Sequence, residues 1–409
     1  MNVNENTLSS GLPRLEKRLP RRVRDVLSLL EGLEGGSISM SLPGGGTVQL
    51  GQGEHVAHWA VKDMAMFDRV IATGDIGLGE AWMEGLWHTH HLPELLTLLA
   101  NNRARLGARL YGRGLSLLAY RIWHLLRANT RAGSRRNIEA HYDLGNDFYA
   151  LWLDPTMTYS AACFATPDES LAAAQRRKYR RILDTMDVRA GQHLLEIGCG
   201  WGGFAEVAAN EYDCRVTGLT LSPSQLAFAQ ARAERGGWAD RAEFVLRDYR
   251  DEHGQYDHIA SIEMIEAVGE QFWPTYFERI SQCLAPEGKA VIQAITIDDD
   301  LFARYRRGTD FIQRYIFPGG MLPSPERMNR EAGQAGLAPV GRYRFGRDYA
   351  RTLRRWDEAF AAQRDAVVAQ GFDERFVRMW HFYLAYCEAG FLAGDIDVCH
   401  AAFVHEAGQ

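Results

Sequence analysis

Beyond residue 190 the chain alternates short apolar runs with longer amphipathic ones. Residues 193–198 (HLLEIG) read as a strand, followed by a glycine turn and the helical FAEVAANEY. RVTGLTLS (215–222) is a second strand, and Ser222-Pro223 opens the helix PSQLAFAQARAERGG. AEFVLRD (242–248), YDHIASIEM (256–264) and KAVIQAIT (289–296) predict three more strands. Such alternation predicts an α/β fold, a parallel sheet covered by helices, with ligands at the carboxyl ends of its strands. The first part of the chain reads differently. SISMSLPGGGTVQLG (37–51) predicts a β-hairpin around Gly44, Gly45 and Gly46, and GLGEAWMEGLW (77–87) a helical segment with an aromatic pair. TRAGSRRN (130–137) is polar and contains Gly and Ser, as a linker does. The expected division is therefore a mixed α+β N-terminal domain at 1–135 and a larger domain at 136–409.

Charge adds a feature that the apolar pattern hides. The net charge is −6, yet residues 103–136 hold nine arginines and no Asp or Glu, which leaves −6 − 9 = −15 on the remainder. Leu106, Leu110, Leu117, Leu118, Ile122 and Trp123 are interleaved with them. One reading is a helix laid on an anionic membrane surface. Another is a solvated helix packing its leucines on the protein's own core. Nucleic acid is disfavoured, because no aromatic stacking platform accompanies the arginines. The six cysteines (163, 199, 214, 283, 387, 399) form no CxxC pair or metal spacing, which argues against a disulfide framework or zinc site and for a reducing compartment. MNVNENTLSS lacks a signal core, and no run approaches the ~20 apolar residues of a membrane span, so the expectation is a cytoplasmic protein.

The most informative local pattern is EIGCGWGG (196–203), between the first strand of the larger domain and its helix. Its glycines let the backbone turn sharply and let a ligand approach main-chain N–H groups. The spacing is G-x-G-x-G with an acid two residues upstream, and the second strand ends in Thr220 instead of the acid of a dinucleotide site. The loop resembles the S-adenosylmethionine motif of class I methyltransferases, a Rossmann-like fold. HYDLGNDFYALWLDPTMTYSAACF (141–164), GLTLSPSQ (218–225), RDYRD (247–251), MIEAVG (264–269) and RYIFPGGMLPS (314–324) occur with it in order. Together they resemble the cyclopropane fatty acid synthase family, with the mycolic acid cyclopropane synthases and related fatty acid methyltransferases, over roughly residues 60–405.

The resemblance implies S-adenosylmethionine-dependent C-methylation of an unsaturated acyl chain of membrane phospholipid by a peripheral protein of the inner membrane face, with a homodimer as an open possibility. It implies that Tyr159 and Ser160 approach the methionine part of the cofactor, that Gly198 and Gly200 line its cradle, that Thr220 and Gln225 lie near ribose, and that Tyr249 lies near adenine. It also implies a bound bicarbonate as base, held by a Glu, a His, a Tyr and the backbone at a Cys. Glu266 matches the glutamate and Tyr349 the tyrosine, whereas the histidine position is Gln293 and the cysteine position Ala161. Gln293 still offers an N–H to an anion but no positive charge, and Ala161 preserves a backbone N–H. Those departures leave cyclopropane, methylene, methyl-branched and methylated-diene products open. Phe311, Tyr315, Ile316 and Phe317 are candidates for an acyl tunnel or for plain core. Cys387 lies where some members carry an active-site thiol, although an isolated Cys among apolar residues is usually core. Cys163 reads as core and Cys199 as a small filler. The alternatives are a methyltransferase of this fold acting on another small molecule or RNA, or a non-enzymatic lipid-binding module.

Overall fold

Four strands of the N-terminal part and seven of the remainder form two separate sheets in the computed structural model, which describes residues 19–110 and 144–406, the side chains of 107–110 excepted. Most of the arginine-rich run, the segment 130–137 and the boundary at 135/136 lie outside the described residues. In the smaller sheet, β1 (Gly36–Leu42) and β2 (Gly46–Gln52) make the hairpin read from the glycine triplet. There Gly44 and Gly45 take the positive φ that such a turn requires. β3 (Val56–Val61) pairs with β1 in parallel, and the short β4 (Trp87–His88) closes the order β2-β1-β3-β4.

The larger sheet contains β5 (His193–Ile197), β6 (Arg215–Thr220), β7 (Ala242–Leu246), β8 (Tyr256–Ile262), β9 (Leu284–Ile297), β10 (Leu337–Arg344) and β11 (Ile396–His405). Their order is β10-β11-β9-β8-β5-β6-β7. The five strands read from the sequence are there and run parallel. The expected parallel sheet is extended into a mixed one, because β11 lies between β9 and β10 and is antiparallel to both. β10 takes the edge, with arginines, a proline and a register shift between Pro339 and Gly341, features that discourage further pairing.

The chain steps outward from β5 to β6 and β7, then returns to place β8 on the other side of β5. The carboxyl ends of β5 and β8 therefore flank a topological switch point, where such sheets bind ligands. Local sequence sets the helices around it. Ser222 caps Pro223–Gly236 by accepting the Gln225 N–H, and Gly237 ends that helix in the left-handed conformation. Ser170 caps Leu171–Met186 in the same manner.

One apolar core runs from Val23 and Leu27 of the N-terminal part to Trp356, Trp380 and Phe382 of the C-terminal helices. The contact is specific as well as apolar. The Trp82 indole donates to the Arg378 carbonyl at 3.0 Å, and the Arg378 guanidinium lies 4.2 Å from the Trp82 ring centroid. No helix among the described residues is long and apolar enough to cross a membrane.

Candidate active site

The loop after β5 opens a cleft of about 160 Å³ at the switch point. Gly198 (φ +83°) and Gly200 (φ +51°) adopt backbone conformations that side chains disfavour. A Cβ on Gly198 would lie 2.8 Å from Met264 Cγ. Every residue that the resemblance assigns to the cofactor lines this one cleft: Tyr159, Ser160, Gly198, Gly200, Thr220, Gln225 and Tyr249. The Thr220 hydroxyl donates to the Gln225 amide oxygen at 3.1 Å. Ser160 Oγ accepts from Lys178 Nζ at 2.5 Å, and the Tyr159 hydroxyl pairs with Tyr383 at 2.7 Å.

Two buried polar groups in the cleft have no hydrogen-bond partner among the described residues, Glu196 Oε2 and the Tyr249 hydroxyl. Burial pushes the Glu196 carboxyl well above its ordinary range, and Lys178 and Arg232 offset that only in part. A ligand that brings an ammonium group would complete such a carboxylate. The bare Gly198 backbone and these unpaired groups thus fit the amino-acid and nucleoside ends of S-adenosylmethionine. Cys199 in the loop is buried with its thiol held neutral, and its Cβ packs where Gly218 has no side chain.

A second, larger cavity of about 510 Å³ adjoins the first. Val26, Leu30, Phe67, Leu96 and Leu99 wall it on the N-terminal side, and Ile312, Phe317, Leu353 and Phe391 on the other. Its size is within the range of small-molecule and cofactor sites, ~300–1,000 Å³. Of the four candidate tunnel residues Phe317 lines it; Phe311, Tyr315 and Ile316 do not. For those three the packing reading holds: Phe311 is fully buried against Gly79 and Phe382, and the Tyr315 hydroxyl donates to Glu80. Cys387 also lines this cavity, and burial raises its thiol far above the thiolate range. Cys163 is packed in the core with its thiol pushed up to about 12.

Tyr159, Glu263 and Ala267 line both cavities, so the two meet at the end of β8. There a carboxylate that the sequence reading did not single out collects three donors. Glu263 accepts from the Ala161 N–H at 2.8 Å, from Gln293 Nε2 at 2.7 Å and from the Tyr349 hydroxyl at 2.6 Å. Its backbone is left-handed, with φ +51°. Gln293 is oriented from behind by His400, whose Nε2 lies 2.9 Å from the Gln293 amide oxygen. His400 is buried and held neutral, its pKa lowered to about 3 by burial and by the charges of Lys178 and Arg181. The imidazole is therefore the donor and the amide oxygen the acceptor.

Glu266 stands beside this cluster. Its carboxyl accepts the Ile295 N–H, its second oxygen has no partner among the described residues, and it lines the larger cavity. Burial first and the neighbouring Glu263 second raise its pKa to about 8, so it carries a proton at neutral pH. Burial raises Glu263 too, but Lys178 opposes this first, then Tyr349, Ala161 and Gln293. Of the two adjoining carboxyl groups, Glu263 with its three donors is the one whose ionised form is better stabilised. The signal for Glu263 in the sequence was a second acid three residues before Glu266. Lys178, fully buried in a helix, and His400, in an antiparallel strand, left no local signal.

Comparison with known proteins agrees with this geometry. Residues 129–401 match the family described as mycolic acid cyclopropane synthetase. Tuberculostearic acid methyltransferase of Mycobacterium tuberculosis is 42% identical over 361 residues, 84% of this chain and 82% of its own. Cyclopropane-fatty-acyl-phospholipid synthase of Escherichia coli strain K12 is 35% identical over 347 residues, 84% of this chain and 86% of its own. The crystal structure of a mycolic acid cyclopropane synthase complexed with SAH and CTAB superposes with a TM-score of 0.62 at 31% identity, covering 66% of this chain and 97% of that one. A glycine cradle at the switch point, an adjoining apolar cavity and relatives of this kind lead to one conclusion: the chain belongs to the mycolic acid cyclopropane synthetase family of S-adenosylmethionine-dependent methyltransferases.

Proposed function

We propose that this enzyme methylates a double bond in an unsaturated fatty acyl chain of a phospholipid and leaves an open-chain product, a methylene branch or a methylated alkene. The observation that carries the reading is the junction of the cofactor cleft with the apolar cavity at Tyr159, Glu263 and Ala267. When bound, S-adenosylmethionine supplies an activated methyl group at that junction. The chain's own residues supply the rest. Apolar walls hold the acyl segment and exclude water, and Tyr159 fills the corner between the two ligands. Gln293, Tyr349 and the Ala161 N–H hold a carboxylate in place before substrate arrives.

The open-chain product is favoured because Gln293 and Ala161 stand at two of the positions that the resemblance gives to the base-holding site of ring-forming members. The greater identity to the tuberculostearic acid methyltransferase, 42% against 35% for the phospholipid synthase, points the same way. The arginine-rich stretch 103–136 is the segment suited to anionic headgroups. Its first members are already committed within the protein, Arg103 to Asp395 and Arg105 to Glu34.

The test is incubation with methyl-labelled cofactor and liposomes of monounsaturated phospholipid. Ring and methylene products are isomers, so mass does not separate them, whereas the upfield cyclopropyl protons in NMR do. Label in an open-chain product supports the proposal, and ring protons refute its product. No label in any acyl chain, free or esterified, refutes the activity.

A further inference from the structure

We infer that Glu263 is itself the proton acceptor of the reaction, a base built into the chain, and that the enzyme turns over without bicarbonate. This rests on the reading above. The resemblance assigns a bicarbonate to donors at the backbone of residue 161 and the side chains of residues 293 and 349. In this protein all three are engaged by Glu263, at 2.8, 2.7 and 2.6 Å. The place of the free anion is occupied by a side chain.

Three further observations fit a base at that point. Glu263 lines both the cofactor cleft and the apolar cavity, so its carboxylate faces the place where cofactor and acyl chain meet. It sits at φ +51°, a conformation that a glutamate keeps only where the surroundings fix it, and the three donors do so. Charge is balanced without a cationic residue 293, because the buried Lys178 is the main group that favours the Glu263 carboxylate. A histidinium at 293 would tie up the carboxylate in an ion pair, whereas a neutral amide orients it and leaves it basic.

The alkene π pair forms the bond to the transferred methyl as the sulfur–methyl bond breaks with its pair going to sulfur. The adjacent chain carbon is left cationic. For a methylated alkene a C–H bond next to the cation then breaks; for a methylene branch a hydride first shifts from the methylated carbon to the cation, and the C–H bond that breaks belongs to the new methyl group. In both cases the proton goes to a Glu263 carboxylate oxygen and the bonding pair forms the new C=C bond. Glu263 ends as the neutral acid and returns the proton to solvent when product leaves.

The experiment measures label transfer by the full chain to monounsaturated phosphatidylglycerol liposomes, in buffer stripped of carbon dioxide and in buffer with added bicarbonate. Wild-type enzyme is expected to run equally in both. Glu263→Gln, which keeps an acceptor oxygen for the Ala161 and Gln293 donors but is not a base, is expected to lower the rate by about 10²–10⁴-fold with cofactor affinity unchanged by calorimetry. Glu263→Gly suits the positive φ and so guards against a misfolded variant. It is expected to fall as far in stripped buffer and to recover in part with bicarbonate. A wild-type rate that collapses on removal of bicarbonate overturns the assignment, as does either variant at the wild-type rate in stripped buffer. Wild-type enzyme that labels no acyl chain in either buffer overturns the functional reading, and the assignment with it.

Discussion

His400 touches neither cavity, yet the geometry makes it a positioning residue whose loss is felt at Glu263. Its Nε2–H satisfies the amide oxygen of Gln293, which is fully buried, and its ring packs edge-on against Phe345 at 4.8 Å. His400→Leu keeps the bulk and removes the donor. A buried acceptor left unpaired costs about 1–3 kcal/mol, so a loss of about 2 kcal/mol in stability is expected in urea titrations followed by tryptophan fluorescence. Freed from His400, the amide turns away from Glu263 for part of the time, and kcat should fall about tenfold with little change in KM. His400→Gln, which returns an N–H at similar reach, should restore most of both. Acid gives an independent readout. The unfolded chain binds a proton at this residue below 6.5, but the native state binds it only below about 3. Between those values the unfolded state holds more protons, so stability falls as pH falls. From pH 6.5 to 5 this amounts to about 2 kcal/mol in wild type and is missing from His400→Gln. His400→Leu with wild-type stability and kcat, or the same acid slope in wild type and His400→Gln, would refute the reasoning.

Three other expectations concern the cleft and the cavity. Glu196→Gln removes the buried carboxylate whose Oε2 lacks a partner, and should weaken S-adenosylmethionine binding about 10–100-fold by calorimetry; unchanged affinity would mean that no cationic group meets it. Gly198→Val puts a Cβ about where Met264 Cγ lies 2.8 Å away, at φ +83°, and should abolish the rise in melting temperature that the cofactor confers on wild type. Cys387→Ala should keep the rate to about twofold, since burial holds that thiol protonated and the chemistry has no step for it; a loss of tenfold or more would assign it a role.

The parallel part of the larger sheet was legible because each of its strands is a short apolar run followed by its own helix or turn. β10 and β11 were not. LAPVGRYR is an edge strand exposed over most of its length, and its neighbour IDVCHAAFVH lies more than fifty residues further on. β10 is a strand only by pairing with β11, and β11 by pairing with β9 and β10, and pairing at such separations leaves no local period. The large cavity was half legible for a related reason. Of four residues that could equally be tunnel or core, Phe317 lines the cavity, whereas Phe311 and Ile316 are buried in the core and Tyr315 is tied to Glu80. The opposite wall comes from residues 26–99, which the family match at 129–401 does not span. Which apolar residue faces a ligand and which faces core is decided by the element opposite, and a single stretch does not contain that element.

The two glutamates at the end of β8 carry the same argument to a finer scale. SIEMIEAVG places acids at 263 and 266, and by residue type they are equivalent. What separates them is backbone conformation and burial. Glu263 is left-handed at the switch point, which brings its carboxylate to the Ala161 N–H, Gln293 and Tyr349. Glu266 lies in the first turn of the short helix Ile265–Val268, and its carboxyl accepts the Ile295 N–H. Three donors and a nearby Lys178 favour a carboxylate at 263; burial and the neighbouring acid favour the protonated form at 266, against the pull of its backbone donors. Each assignment reinforces the other, since a charge on Glu263 raises the pKa of Glu266 and a neutral Glu266 leaves Glu263 free of like charge. Glu266→Gln should therefore cost far less than Glu263→Gln in rate at neutral pH, because an amide reproduces a neutral acid but not a carboxylate. Equal losses in labelled-methyl transfer would place the charge on the wrong residue of the pair.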